Sequence, residues 1–145
     1  MGKLSLLVLL VLPALFFSCS KDLKHTNRIH GTWELTQLQQ ITIEGSSFST
    51  DPAGVFQFDK CQVLEQDFRA FRQHYSYTIG DSTVLKNETG SYKFDEEGRL
   101  LIIHIPTDNG REETIYHLIS LDKRKLVIDQ TQSDNSRTIL TLTRK

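Results

Sequence analysis

The stretch that decides the fold is "HGTWELTQLQ", residues 30–39, which carries the chain's only tryptophan, Trp33. From Gly31 onward polar and apolar residues alternate, the period of two expected of a strand with one buried face. A strand over residues 31–43 sets Trp33, Leu35, Gln37, Gln39, Ile41 and Ile43 on one face. Thr32, Glu34, Thr36, Leu38, Gln40 and Thr42 fall on the other. Two amides on the face of the tryptophan are the anomaly, because burying an amide without a hydrogen-bond partner costs a few kcal/mol. Two arrangements stay open. Either Gln37 and Gln39 face a wet or ligand-holding cavity, or a bulge after Leu35 turns Leu38 inward and both glutamines out.

Downstream, short β-prone runs alternate with turn formers, the pattern of an antiparallel meander. "VFQFDKCQV" predicts a second strand with Phe56 and Phe58 in phase, and "HYSYTI" a third with Tyr75, Tyr77 and Ile79 on one face. Between them "LEQDFRAFRQ", residues 64–73, fits either a helix face of Leu64, Phe68 and Phe71 or a bent continuation of a strand. Then come "STVLKN", "GSYKFD", "RLLIIHI", "EETIYHLISL", "KLVIDQTQ" and "RTILTLTR", separated by "ETG", "DEEG", "PTDNG", "DKRK" and "SDNS". If the two pieces around "ETG" form one interrupted strand the count is eight, otherwise nine. Eight hairpin-linked strands can close into a barrel, which removes exposed sheet edges and leaves an interior that side chains or one small ligand can fill. The competing all-β arrangement is an open two-sheet sandwich with Trp33 between the sheets.

Upstream, "MGKLSLLVLLVLPALFFSCS" has Lys3 as its sole charge and an apolar or small run from Leu4 to Phe17. As a helix that run is only about 21 Å long, short of a hydrocarbon core of about 30 Å. It reads as a secretory signal peptide over residues 1–18. "LFFSCS" is similar to a bacterial lipoprotein signal, in which apolar and small residues precede a cysteine that is diacylated and becomes the new N-terminus. That resemblance implies lipid attachment at Cys19, with palmitate-like chains holding the protein to a membrane. The alternative is ordinary cleavage after Ser20. Residues 19–29, including the polar "SKDLKHTNRI", are then expected to be a lipidated tether ahead of a domain spanning residues 30–145.

Composition narrows the function classes. The chain has 145 residues, with 17 Lys and Arg against 18 Asp and Glu. No basic stripe with interleaved aromatics appears, so nucleic acid is not an expected partner. With Cys19 lipidated, Cys61 has no partner within the chain and reads as a buried, inert thiol. After removal of the signal roughly a third of the residues are apolar, which suits a thin β-structure better than a helical bundle.

The Gly-x-Trp of "GTW" on the first strand resembles the signature of the lipocalin superfamily. The early "GTWEL", "FQFDKC", "GSYKFDEEG", "LISLDKRKLVI" and the "LTLTRK" ending are similar to lipocalin-like lipoproteins common in Bacteroidetes. The resemblance implies an eight-stranded antiparallel up-and-down barrel in which Gly31 and Trp33 mark the closed end. It also implies that a cation from the last strand, Arg144 by position and Arg137 as second choice, packs over the indole. The loop over residues 44–54 is expected as a lid at the open end, with Phe48 able to cap a cup or touch a partner protein. No second or third lipocalin signature and no C-terminal helix are present.

The remaining chemistry is sparse. Histidines 25, 30, 74, 104 and 117 lack the spacing of zinc ligands, and His104 and His117 read as wall or core residues. Neither a nucleophile elbow nor a phosphate-binding glycine loop appears; Glu96/Glu97 and Glu112/Glu113 read as solvated charge, and no residue is nominated as catalytic, metal-binding or cofactor-binding. "NET" at Asn87 matches a glycosylation sequon, and "DST" at residues 81–83 resembles a short O-glycosylation motif of Bacteroidetes. The candidate lining of an internal site is Gln37, Gln39, Phe58, Tyr77, Tyr92 and His117, aromatic and polar groups of the mixed kind that pockets use. The expected role is non-covalent binding of a small, partly apolar molecule by an anchored protein of the outer membrane, facing the periplasm or the exterior. A filled barrel that engages another envelope protein is the alternative.

Overall fold

The computed structural model describes residues 21–49, 51–63 and 67–145. The signal segment, Cys19 and residues 64–66 lie outside the described residues, as does the side chain of Cys61. A short helix, α1 (Lys21–Ile29), precedes nine strands: β1 (Gly31–Thr42), β2 (Gly45–Phe48), β3 (Ala53–Val63), β4 (Arg69–Ile79), β5 (Ser82–Asp95), β6 (Leu100–Thr107), β7 (Gly110–Leu121), β8 (Lys125–Thr131) and β9 (Arg137–Arg144). β1 and β3 to β9 pair in an unbroken antiparallel series, and β1 returns to β9 from Trp33 opposite Arg144 to Ile41 opposite Arg137. The sheet therefore closes as an eight-stranded up-and-down barrel. β2 is an extra strand at one rim, and the open sandwich is excluded by the β1–β9 pairing.

The anomaly in β1 is resolved by a bulge. Pairing with β9 slips between Leu35 and Gln37, and the extra residue, Thr36, donates its hydroxyl to the Thr141 carbonyl at 3.1 Å. Trp33, Leu35 and Leu38 are buried while Gln37 is exposed and Gln39 half-buried. The cavity reading of the two glutamines is thus corrected: one inserted residue preserves an apolar inner face across a sequence that strict alternation would make amphipathic the wrong way round.

Two open alternatives are decided and one further expectation changes. The two pieces around "ETG" are one strand, β5, because Gly90 is a point of close approach instead of a turn. A Cβ there would stand 2.0 Å from the His104 carbonyl oxygen of β6, so only glycine lets the two strands meet at this bend. Residues 69–73 of the ambiguous segment continue β4, in the strand alternative and not the helical one. The described part of the tether, residues 21–29, is helical: Thr26 and Ile29, one turn apart, are buried, and His25 packs on Phe94 with ring centroids 5.5 Å apart.

Inside, the core has two halves. β3, β4 and β5 contribute Phe56, Phe58, Phe71, Tyr92 and Phe94, with Phe58 against Phe71 at 5.1 Å and edge-on to Tyr92 at 5.0 Å. β6, β8 and β9 answer with Leu101, Ile103, Leu126, Ile128, Leu140 and Leu142. Each such side chain stabilises the fold by about 1.5–3 kcal/mol through burial. Large rings opposite branched aliphatics fill an eight-stranded interior despite the modest apolar content. β6 is buried on both faces, since Phe68 lies outside the wall, stacked on His104 at 4.2 Å.

Candidate functional site

One end of the barrel is sealed by residues that sequence alone points to. Trp33 is fully buried and its Nε1 donates to the Ile29 carbonyl of α1 at 2.6 Å. The Arg144 guanidinium lies 4.4 Å from the indole centroid. Its Nε donates to the Lys123 carbonyl at 2.9 Å and its Nη1 to the His30 carbonyl at 2.8 Å, while Nη2 donates to the Arg28 carbonyl. Two of these carbonyls lie at the C-terminal end of α1, where a helix carries its negative partial charge. Gly31 has φ +118°, and a Cβ on it would stand 3.0 Å from Arg144 Nη1; this explains why glycine stands two residues before the tryptophan. Arg137, the second choice, instead pairs with the buried Asp129 on the outer wall.

At the opposite end the interior opens into a cup of about 430 Å³. Its floor is Leu38, Ile105 and Leu140, its aromatic wall Tyr75, Tyr77 and Tyr116, and its polar groups include Gln73, Lys86, Glu88, Glu112 and Gln130. The volume lies within the range of roughly 300–1,000 Å³ usual for small-molecule sites, but the lining is more polar than the mostly apolar kind usual there. The strand alternation accounts for the lining: Gln73, Tyr75 and Tyr77 occupy alternate positions on β4, and Lys86 and Glu88 do so on the facing stretch of β5.

Within the cup Gln73 Nε2 donates to Glu88 Oε2, and Lys86 Nζ stands 3.5 Å from Glu88 Oε1. Gln73 is 6% exposed and its Oε1 accepts a hydrogen bond from no described group. Burial pushes the Tyr75 phenol well above the usual tyrosine range, with Tyr77 and Glu88 adding to the effect. Burial does the same to Tyr116, with Tyr75 and Glu88 next in importance. Both rings thus stay neutral across the physiological range.

Of the six residues nominated as lining, only Tyr77 lines the cup. Phe58 and Tyr92 are core, and the Tyr92 hydroxyl is satisfied by the Asp59 carbonyl at 2.7 Å. Gln37 and Gln39 are turned away by the bulge, and His117, opposite Leu100 and Asp129, is exposed on the outer wall. The residues that sequence reasoning missed are Gln73, Tyr75, Tyr116, Lys86, Glu88 and Glu112. Tyr75 shared a predicted face with Tyr77, and starting β4 at Arg69 would have added Gln73 to it. Glu112 lies at the cup's lining in an exposed position without an ion-pair partner among the described residues, as expected of solvated charge, whereas Glu113 points out and stands 2.6 Å from His104 Nε2.

The lid expected over residues 44–54 is in part a hairpin. β2 pairs with the end of β1 from Gln39 opposite Phe48 to Thr42 opposite Gly45, Ser49 Oγ accepts from the Thr78 amide at 3.1 Å, and Phe48 is 52% exposed. None of its described residues lines the cup. Among the described residues no cluster of His, Cys, Asp and Glu could hold a metal ion, and no helix is long and apolar enough to cross a membrane.

These features define the chain as a closed antiparallel β-barrel, plugged at one end and cupped at the other. No family model and no curated protein matches the sequence. Among solved structures the chain is similar to a redesigned β-barrel at 18% identity and TM-score 0.46, the match covering 83% of this chain and 95% of that one. A second redesigned barrel, mFAP0 bound to DFHBI, matches at 18% identity and TM-score 0.43, covering 80% and 98%. An S-type phycobiliprotein lyase from Guillardia theta matches at 9% identity and TM-score 0.41, covering 84% and 91%.

Proposed function

We propose that the protein is a lipocalin-like lipoprotein of the bacterial cell envelope, anchored through acyl chains on Cys19, whose barrel binds a small, partly apolar molecule without covalent chemistry. The observation that carries this reading is the cup of about 430 Å³ with an apolar floor and an aromatic wall. The anchoring half rests on the signal-like segment ahead of Cys19, and the outer membrane, toward the periplasm or the exterior, is the location that this reading implies.

The test is native mass spectrometry of the protein recovered from its own envelope. An adduct of a few hundred daltons that is lost from a Gln73→Leu, Tyr116→Ala double variant supports the cup. A bare mass under gentle conditions removes the binding half. The acyl mass on an N-terminal peptide beginning at Cys19 decides the anchoring half independently.

One observation favours a second reading, an adaptor that works through its outer wall. Ile115 and Ile119 on β7 are exposed large apolar residues, and Ile115 stands opposite Ile102 of β6. Apolar groups gathered on a wall mark contact sites more often than isolated ones do. Co-purification of one envelope protein, lost on Ile115→Ser with Ile119→Ser, would carry that reading instead.

A further inference from the structure

The charge and hydrogen-bonding balance of the cup has a direction. Its ionisable lining consists of Lys86 against the carboxylates of Glu88 and Glu112, besides the tyrosines. Lys86 is already beside Glu88 at 3.5 Å, and the other Glu88 oxygen accepts from Gln73. Glu112 has no ion-pair partner among the described residues, so one carboxylate at the rim is uncompensated. An anion entering the cup would meet that carboxylate and find the only ammonium engaged.

Gln73 points the same way. Its Nε2 donates to Glu88 and so holds that carboxylate in the cup wall, while its own Oε1 is closed off within the wall and offers the cup nothing. The tyrosine wall adds no positive charge to offset this, since its phenols are neutral; Tyr75 is stacked between Phe56 at 5.0 Å and Tyr77 at 6.1 Å. Inside a partly closed site charges are screened less than on an open surface.

We propose that the cup selects an organic ammonium: a ligand whose positively charged head lies at the Glu112 carboxylate, where the lining carries its uncompensated negative charge. Its apolar body rests on Leu38, Ile105 and Leu140. This inference rests on the reading that the cup holds a ligand. It assigns the ligand's charge class, which that reading leaves open.

Three probes that share one ring system and differ in charge test it: tryptamine, indole-3-acetamide and indole-3-acetate, titrated calorimetrically into the full chain at pH 7 with a matched blank. Tryptamine should bind at least tenfold more tightly than the amide, and the carboxylate more weakly than either. Glu112→Gln, at an exposed position and with its folding checked by Tm, should cut the preference for tryptamine over the amide at least fivefold. Equal or tighter binding of the amide or the carboxylate overturns the inference and leaves the cup standing, as does a preference that survives Glu112→Gln. Silence from all three also overturns it. In that case a native-mass adduct keeps the ligand cup, and a bare mass removes both.

Discussion

Arg144 concentrates more interactions than any other side chain described here: a cation over the Trp33 ring and three hydrogen bonds to backbone carbonyls. The cation and ring contact is worth about 0.5–2 kcal/mol and each hydrogen bond about 0.5–1.5. Because these overlap, Arg144→Ala should cost about 2–4 kcal/mol in chemical denaturation and shift Trp33 emission to the red; a variant as stable as the parent would refute this account of the plug. The tyrosines make a second prediction at this scale. Burial raises the phenols of Tyr75, Tyr92 and Tyr116 above their unfolded value near 10. Above that pH the unfolded chain binds fewer protons than the native one, so stability falls as pH rises, by up to about 1.4 kcal/mol per pH unit for each group. Alkaline unfolding should be steep, and absorbance at 295 nm should show these three tyrosines ionising only with it. Trp33, Gly31 and Arg144 were legible because a signature and a chain position sufficed. Gln73 was not, since it lay in a segment whose periodicity fitted helix and strand equally, and its partner Glu88 is distant in sequence.

At the scale of elements, the bulge of β1 and the helix α1 are the two devices that depart from a regular meander. Deleting Thr36 should be tolerated, because Leu35, Gln37 and Leu38 would then alternate in, out, in and keep their partners on β9. The variant loses the Thr36 hydrogen bond and local twist, and its Tm should drop only modestly, by about 1 kcal/mol of stability. Deleting Glu34 instead forces Trp33 or Leu35 to the outer face, and that variant should not give a cooperative melt. Removing residues 21–29 should cost about 2–4 kcal/mol, since it removes the buried Ile29 and the carbonyl that satisfies the indole N–H. The strand series could be read from alternation, but Gly90 could not: a glycine between polar residues looks like a turn until the neighbouring strand is known. α1 was hidden for a related reason. Its polar sequence has only Leu23 and Ile29 as apolar positions, and it is helical because the barrel end receives it, a tertiary effect beyond local propensity.

Over the whole molecule, closure leaves the eight barrel staves hydrogen-bonded on both sides while β2 stands at the rim with every residue exposed. Amide exchange should therefore form a gradient: slowest around Trp33, Phe56 and Leu142 at the plug, and fastest in β2, whose opening disturbs little packing. Uniform protection from plug to rim would contradict it. The barrel was legible as a whole because a count of alternating runs constrains closure; the position of the cup was not, because it depends on which strand ends are left unfilled. The plug has a directional consequence. α1 begins two residues after Cys19 and is fastened to the sealed end, and the C-terminal residue is tied there as well through its amide to the Thr32 carbonyl. Were Cys19 acylated, the anchor would lie two residues from α1 in sequence, and the sealed end would be the one nearer the bilayer. The barrel's mouth would open away from the lipid, sampling solutes from the aqueous space instead of drawing them out of the membrane beneath.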